Sequence, residues 1–212
     1  MKLIRNLDAL PPTFQGGAVA IGNFDGVHLG HARIVSRLIA AAKACGGPAI
    51  VFTFDPHPVR LLRPQETPPP LTWTERKAHL LGELGVDMTI AYPTDEALLN
   101  LSANQFFNEI IRERLAARGM VEGPNFVFGH GREGTIELLR KMTAEAGMTL
   151  EIVEPLKRDG EFVSTSRIRK LIAEGDVAQA ATMLTRPYRL RGMVTHAMAR
   201  GSKIGFPTSN VD

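Results

Sequence analysis

Gly17-Ala18-Val19-Ala20-Ile21-Gly22 is the first of two apolar runs that decide the fold of this chain. The second is Ala49-Ile50-Val51-Phe52-Thr53-Phe54, and apolar residues at helical spacing fill the stretch from Leu29 to Ala44 between them. Both runs are typical of buried strands. Strand, helix and strand in this order predict a βαβ unit with parallel strands and a right-handed crossover. The predicted fold class is therefore α/β.

The alternation of helices and strands continues to about residue 187. Helical patterns cover residues 74–84, 103–118 and 135–146, helices begin at Ser164 and Asp176, and strands are predicted at 88–92 and 150–153. This order is typical of a doubly wound parallel sheet. Residues 118–122 form a poor strand pattern. The proline-rich residues 63–70 predict a surface loop that is a candidate lid.

The pattern of polar and apolar residues changes after Pro187. From Tyr188 polar and apolar residues alternate and glycines recur, which predicts the first strands of an antiparallel β domain. We therefore expect two units, residues 1–187 and residues 188–212. The net charge of +3 at pH 7 lies entirely in the second unit. A neutral first unit gives no support to nucleic-acid binding, which needs a basic surface.

Composition excludes several classes of protein. With 44% hydrophobic and 22% charged residues, the chain is not disordered, collagen-like or a coiled coil. No apolar run is long enough for a membrane span, and the first residues lack the apolar core of a signal peptide, so we expect a cytoplasmic protein. The single cysteine, Cys45, cannot form an internal disulfide.

The segment Gly22-Asn23-Phe24-Asp25-Gly26-Val27-His28-Leu29-Gly30-His31 follows the first strand and opens the first helix. Ligands of α/β sheets bind at the carboxyl ends of strands, and free N–H groups at a helix start attract phosphate. The segment is neither a P-loop nor a dinucleotide-binding fingerprint. A structural turn and a zinc site remain open alternatives, but the segment supplies too few ligands for zinc. We favour a phosphate site that uses His28 and His31.

Three further segments are candidate binding elements. Residues 52–58, Phe-Thr-Phe-Asp-Pro-His-Pro, follow the second strand, although a rigid turn around a core phenylalanine explains them as well. Residues 123–134 form a glycine-rich loop. Residues 164–169, Ser-Thr-Ser-Arg-Ile-Arg, open a helix, where hydroxyls act as caps but arginines oppose the helix dipole. A bound anion at this helix start would remove that conflict.

Taken together and in this order, these segments resemble the bacterial FAD synthetases, bifunctional riboflavin kinase/FMN adenylyltransferases of the HxGH nucleotidyltransferase superfamily. The resemblance rests on GNFDGVHLGH at 22–31, FTFDPHP at 52–58, LLGELGVD at 80–87, NFVFG at 125–129 and STSRIR at 164–169. Residues 205–210, GFPTSN, resemble the GxPTxN motif of the riboflavin kinase β-barrel. The resemblance implies a Rossmann-like nucleotidyltransferase domain followed by the first strands of that barrel.

The resemblance also implies a reaction and a set of residues. The reaction is the transfer of AMP from ATP to FMN, giving FAD and pyrophosphate, with Mg²⁺ accompanying ATP. The implied catalytic residues are His28, His31, Asn125 and Arg167. The implied ATP-binding residues are Gly22, Asn23, Phe24, Asp25, Gly26, His28, His31, Ser164, Thr165 and Arg167. The implied FMN-binding residues are Phe54, Pro56, His57, Pro58, Asn125 and Phe128, and the kinase motif comprises Gly205, Pro207, Thr208 and Asn210.

The chain departs from the family pattern in four places, the first of which is the poor strand pattern at 118–122. Asn125 stands where many members have aspartate, and the order of hydroxyls in residues 164–166 leaves open which of them contacts which phosphate. The kinase motif stands near the end of the chain, so we expect no riboflavin kinase activity from this sequence. The partners we expect are ATP and FMN, with no nucleic acid and no membrane. A non-catalytic nucleotide- or flavin-binding protein, and a related nucleotidyltransferase with a different acceptor, are the alternatives.

Overall fold

A six-stranded parallel β-sheet lies at the centre of the computed structural model, which describes residues 1–195, 205 and 210–211. Its strands are β1 (Lys2–Ile4), β2 (Ala18–Ile21), β3 (Ala49–Asp55), β4 (Met88–Pro93), β5 (Gly119–Glu122) and β6 (Thr149–Ile152). They are ordered β1-β4-β3-β2-β5-β6, and every neighbouring pair is parallel. The predicted doubly wound α/β fold is therefore confirmed.

Helices connect these strands. They are α1 (Leu29–Cys45), α2 (Val59–Leu62), α3 (Thr74–Glu83), α4 (Glu96–Leu99), α5 (Ala103–Gln105), α6 (Ile136–Glu145), α7 (Thr165–Ala173) and α8 (Val177–Met183). A π-helix covers Phe106–Arg114, and 3₁₀ turns cover Leu7–Ala9, Pro12–Phe14, Pro64–Glu66 and His130–Arg132. The helices predicted from residues 29, 74, 135, 164 and 176 all begin at that residue or one residue later.

Side chains of the central strands alternate between two apolar cores. On one face of the sheet Val19, Ile21, Ile50 and Phe52 pack with residues of the helical segment 103–115. On the other face Ala18, Ala20, Ala49 and Val51 pack with Val35, Leu38 and Ala42 of α1. Because both faces are covered, every position of β2 is apolar and buried, which explains the continuous apolar run.

β5 is a fully buried strand, although its sequence is a poor strand pattern. It pairs with β2 on one side and with β6 on the other. A Cβ at Gly119 would lie 2.7 Å from Thr149 Oγ1 and 3.2 Å from Cys45 Sγ. Gly119, a residue type that is unfavourable in a strand, is therefore required by close packing against the next strand and against α1.

The helix predicted over residues 103–118 ends early. Its last part is the π-helix, in which the Leu115 N–H donates to the Ile110 carbonyl, and Ala116 then adopts a φ of +46°. The edge strand β1 was not predicted. Its three residues are too few to show a period.

The C-terminal part contains two short antiparallel pairs. β7 (Lys157–Arg158) and β8 (Glu161–Phe162) form a hairpin before α7, and β9 (Val194–Thr195) pairs with β10 (Asn210–Val211). The second pair agrees with the predicted start of an antiparallel β domain. Of the kinase motif, Asn210 lies in β10, whereas Pro207 and Thr208 lie outside the described residues. Within the described ranges, no helix is long and apolar enough to cross a membrane.

Candidate functional site

A cleft of about 430 Å³ opens between β2 and β5, where the strand order of the sheet reverses. Ligands of open α/β sheets bind at such a switch point, beyond the carboxyl ends of the strands. This first cleft is bounded by the ends of β2 and β5 and by the starts of α1 and α7. Its lining includes Gly22, Asn23, Phe24, His28, Gly30, His31, Glu122, Asn125, Phe126, Ser164, Thr165 and Ser166.

The loop between β2 and α1 has a strained backbone. Phe24 has a φ of +46° and Val27 a φ of +39°, a region that is rare for residues with a Cβ and rarest for β-branched ones. The neighbouring segment holds the loop in place, because the Thr185 hydroxyl donates to the Val27 carbonyl at 3.0 Å and Arg186 donates to the Gly26 carbonyl at 3.1 Å. Strain of this kind clusters at functional sites.

His28 and His31 stack at the start of α1. Their ring centroids are 3.6 Å apart, and His28 Nδ1 accepts a hydrogen bond from the His31 backbone N–H at 3.3 Å. Within the described part of the chain, His31 Nδ1 and Asn23 Oδ1 are buried and have no hydrogen-bond partner. Since buried polar atoms normally have partners, these two atoms indicate where a ligand binds.

Both histidines are neutral at pH 7. Burial lowers the pKa of His28 to about 4, although the nearby Asp25 carboxylate acts in the opposite direction. Burial also lowers the pKa of His31 well below its ordinary value, and the charge of Lys77, with that of His28 once it is protonated in acid, lowers it further. A neutral imidazole carries one N–H. Because His28 Nδ1 accepts, its proton lies on Nε2, which is free to donate to a ligand.

Asp25 connects the strained loop to two other segments. Its carboxylate is 5% exposed and accepts hydrogen bonds from the Leu71 and Thr72 N–H groups, the Thr72 hydroxyl and Arg169, at 2.7 to 3.1 Å. Burial acts to raise the pKa of Asp25, but these hydrogen bonds outweigh it and hold the pKa below its ordinary value. All of these contacts are within the protein, so the carboxylate supports the loop.

The start of α7 faces the start of α1 across the first cleft. A Cβ at Gly30 would lie 3.1 Å from the His28 ring and 3.5 Å from the Val163 carbonyl oxygen. Ser164 caps α7 through its hydroxyl, the Thr165 hydroxyl donates to the Asp25 carbonyl at 3.2 Å, and Ser166 is exposed at the cleft. Two helix N-termini therefore bring N–H donors and partial positive charge to one cleft, which suits an anion.

The two arginines of α7 have carboxylate partners, so the helix dipole does not require a bound anion to balance them. Arg167 Nη1 lies 2.7 Å from Glu161 Oε2, and Arg169 Nη2 lies 2.7 Å from Asp25 Oδ2. The pair with Glu161 holds Arg167 against the β7–β8 hairpin, outside the first cleft. The structure thus does not bring Arg167 to the position that the resemblance implied.

A second cleft, of about 320 Å³, lies beside the first, and Asn23 lines both. Three of the residues predicted to contact flavin line it, namely Phe54, Pro56 and His57. Residues 67, 68 and 70 of the proline-rich loop form part of its wall. The second cleft is therefore the part of the site where the FTFDPHP segment and that loop meet.

Phe128 and Pro58, which the resemblance implied as flavin contacts, line neither cleft. Phe128 is 7% exposed and packs against Phe106 and Phe126, and a Cβ at Gly134 would lie 2.6 Å from its ring. It is therefore a core residue, and Phe126 is the aromatic residue of this loop that lines the first cleft. Pro58 precedes α2 as its N-cap.

Of the residues predicted to bind ATP, most line the first cleft and three do not. Those that line it are Gly22, Asn23, Phe24, His28, His31, Ser164 and Thr165. Asp25 lines the second cleft, a Cβ at Gly26 would come within 2.9 Å of Leu71, and Arg167 lies outside the first cleft. Asn125 is exposed at the mouth of the first cleft, not in the second with the other residues predicted to bind FMN.

Glu122 ends β5 at the first cleft and was not singled out by the sequence. It is 3% exposed, and its Oε1 accepts a hydrogen bond from the Ile21 N–H at 2.8 Å. Burial raises the pKa of Glu122 well above its ordinary value, and the hydrogen bond from Ile21 opposes this only in part. Burial thus favours the protonated, neutral form of this side chain between the two strands of the switch point.

Replacing Glu122 by glutamine is expected to stabilise the protein at neutral pH. Above pH 4.5 the unfolded chain releases the Glu122 proton while the folded chain keeps it, so the wild type loses up to about 1.4 kcal/mol of stability per pH unit until its folded pKa is reached. Glutamine retains the acceptor for Ile21 without this cost. Urea unfolding at pH 5 and pH 7 measures the unfolding free energies of the variant and the wild type. If both free energies change with pH in the same way, the prediction is contradicted.

Arg60, Lys77 and Arg169 are cations that line the second cleft, and the sequence singled out only Arg169, in the segment 164–169. Lys77 lies on the buried side of α3, three and four residues before the buried Leu80 and Leu81. The sequence signal that could have identified Lys77 is a lysine on the apolar side of a predicted helix. Among the described residues, no group of three or more His, Cys, Asp or Glu side chains is arranged to hold a metal ion.

Comparison with known proteins finds matches over most of the chain. A family model described as FAD synthetase matches residues 10–167, and one described as riboflavin kinase matches residues 184–212. The bifunctional riboflavin kinase/FMN adenylyltransferase of Pseudomonas fluorescens is 35% identical over 100% of this chain and 68% of its own length, and that of Escherichia coli K12 is 34% identical with the same coverage.

A solved structure has the same fold. The crystal structure of a protein named as a macrolide-efflux protein, from Streptococcus pneumoniae, superposes with a TM-score of 0.84 at 28% identity. The superposition covers 99% of this chain and 68% of that one. The likeness therefore extends over nearly the whole chain.

Proposed function

Since the chain belongs to the FAD synthetase family, we propose that its two clefts bind the two substrates of an FMN adenylyltransferase. The enzyme transfers AMP from ATP to the phosphate of FMN and releases pyrophosphate, giving FAD. ATP lies in the first cleft and the flavin in the second. The observation that carries this assignment is the meeting of two helix N-termini, with a histidine pair on one and three hydroxyl residues on the other, at the switch point of the sheet.

The reaction needs positioned groups and no covalent intermediate with the protein. A phosphate oxygen of FMN attacks the α-phosphorus of ATP in line, the new P–O bond forms, and the bond to the pyrophosphate leaving group breaks. His28 donates from Nε2 to the phosphoryl oxygens, and His31, which stacks on His28 and has a buried Nδ1 without a partner among the described residues, is a second fixed polar group for the same charge. Donors that are fixed where negative charge develops stabilise the transition state without reorganisation.

The start of α7 binds the leaving pyrophosphate. Ser164 and Thr165 hold the turn through their own hydrogen bonds, which leaves the exposed Ser166 hydroxyl and the N–H groups of this first turn to face the phosphates. Asn125 contacts the nucleotide from the opposite wall. Mg²⁺ enters as part of the MgATP substrate, because phosphates and water supply most ligands of such magnesium ions.

The isoalloxazine ring lies in the second cleft. Phe54 provides an aromatic face there, and Pro56 and His57 form the adjoining wall. Burial lowers the pKa of His57, and the positive charge of Arg169 lowers it further, so His57 is neutral beside the ring. Phe126 lines the first cleft and so contacts the nucleotide rather than the flavin ring.

The domain division follows the same assignment. Residues 1–187 form the adenylyltransferase unit, and residues 188–212 belong to a riboflavin kinase unit. The ranges of the two family matches, 10–167 and 184–212, support this division. Residues 184–186 contact the loop between β2 and α1 and so belong with the first unit.

An adenylylation assay tests the function. With ATP, Mg²⁺ and FMN, the protein is expected to lower flavin fluorescence as FAD forms, and chromatography is expected to show FAD and pyrophosphate. Riboflavin in place of FMN has no phosphate to attack with and is expected to give no product. Binding of both ligands without FAD formation would indicate a flavin-binding protein, and product formed only with another acceptor would indicate a related nucleotidyltransferase.

A further inference from the structure

A buried lysine lies in the wall of the second cleft without a charged partner of its own. Lys77 is 7% exposed, and its ammonium donates to the Thr53 hydroxyl at 3.3 Å. An ammonium has three N–H donors. Within the part of the chain that the structure describes, no carboxylate oxygen lies within 4.0 Å of it. A buried charge is costly unless it is paired, so this position calls for an anion.

The carboxylates near Lys77 are engaged elsewhere. The Asp25 carboxylate accepts hydrogen bonds from Arg169 and from two backbone N–H groups, and Asp55 accepts one from the Thr74 hydroxyl at 2.8 Å. Burial lowers the pKa of Lys77, and the charges of Asp25 and Asp55 act in the opposite direction. The second cleft therefore presents a cation whose compensation is incomplete.

Lys77 also lies close to the junction of the two clefts. The Thr53 hydroxyl that accepts from Lys77 itself donates to the Asn23 carbonyl at 3.1 Å. Asn23 is the residue that lines both clefts, and it precedes Phe24, whose ring is 5.0 Å from that of His31. A group bound by the Lys77 ammonium is thus held beside the residues that face ATP.

We propose that Lys77 binds the phosphate of FMN and holds it at the junction, where one of its oxygens attacks ATP. This inference rests on the proposed function. It is favoured over a contact with the ATP phosphates because Lys77 lines the second cleft, together with Phe54, Pro56 and His57, and not the first. Ring and phosphate of one flavin then occupy one cleft.

Comparing FMN with riboflavin tests the proposal, because the two flavins differ only by the phosphate. The wild type is expected to bind FMN more tightly than riboflavin in fluorescence titrations without ATP. Lys77→Met removes the ammonium and is expected to weaken FMN binding about 10- to 100-fold while riboflavin binding stays within about twofold. Unchanged riboflavin binding also shows that the second cleft is intact.

Thr53→Val is the matched control. It removes the hydroxyl that accepts from Lys77 but leaves the ammonium, so the preference for FMN is expected to persist. Equal loss of preference in both variants would indicate a structural role for the lysine and overturn the proposal. If Lys77→Met fails to bind riboflavin, Lys77→Gln, which keeps a polar side chain in contact with Thr53, provides the same comparison.

Two further outcomes separate this inference from the function itself. A Lys77→Met variant that keeps the preference for FMN, or that loses affinity for ATP alone, would overturn the assignment of the phosphate while wild-type FAD formation leaves the function standing. A wild type that binds FMN and ATP but forms no FAD would refute the function, and the preference for FMN would then report phosphate binding alone.

Discussion

The His31→Ala variant is expected to form FAD about 10²- to 10³-fold more slowly than the wild type, the loss typical of removing one fixed group that stabilises transition-state charge. The His31 ring stacks on His28, and its Nδ1 is buried without a partner in the described part of the chain, so its polar atoms are not needed to hold the fold. Chromatographic measurement of kcat, with a thermal melt of the same sample, separates lost activity from lost structure.

Two other single variants serve for comparison with His31→Ala. His28→Ala is also expected to lose most activity, but it removes the N-cap of α1 and so costs about 1 kcal/mol of stability as well. His79→Ala is the control, because His79 is an exposed residue of α3 that pairs only with Glu83 among the described residues. Full turnover by a variant lacking both His28 and His31 would refute the role assigned to the pair.

The central part of the fold was predictable because short-range patterns and tertiary packing agree there. β2 and β3 are buried on both faces, so their apolar runs are continuous, and α1 shows one apolar side toward the sheet. β5 was not predictable, because Gly119 is required by the approach of Thr149 and the pKa of Glu122 is raised only by its buried setting. Neither condition can be read from a local window of sequence.

The candidate site was predictable as segments but not as contacts. Both helix starts were found, because a loop after a strand and a hydroxyl cap have local signals. Which partner Arg167 takes depends on how the β7–β8 hairpin, which directly precedes α7, places Glu161. Phe126 and Phe128 are alike in sequence, and the packing of Phe106 and Gly134 against Phe128 decides which of them is covered.

The Asp25→Ala variant is expected to lose about 3–5 kcal/mol of unfolding free energy, the usual cost of removing one partner from a buried ion pair. Its carboxylate accepts hydrogen bonds from Leu71, Thr72 and Arg169, so its loss leaves a half-buried guanidinium and two buried N–H groups without their acceptor. The strained loop at Phe24 and Val27 also loses its support, and FAD formation is expected to fall with the stability. Urea unfolding at pH 7 measures the first effect and the adenylylation assay the second.

The stability that Asp25 contributes depends on pH, and the direction of its pKa shift determines how. Because the folded pKa of Asp25 lies below its ordinary value of 3.8, the stabilisation by Asp25 is present above pH 3.8 and is lost as pH falls through the folded pKa. The gap between wild type and Asp25→Ala should therefore be constant between pH 6 and pH 8 and narrow in acid. Asp8→Ala, which removes an exposed carboxylate paired with Arg114, should change stability little at any pH.

A double-mutant cycle with Arg169→Met isolates the ion pair from the backbone contacts. Since Arg169 also donates to the Pro69 carbonyl, the single Arg169 variant loses part of its stability independently of Asp25. The remaining coupling between the two positions should be favourable, because the pair is buried and the two side chains are in direct contact. Additive losses would show that Asp25 acts through Leu71 and Thr72 alone, and a loss below about 1 kcal/mol for Asp25→Ala would show that the loop keeps its shape without this carboxylate.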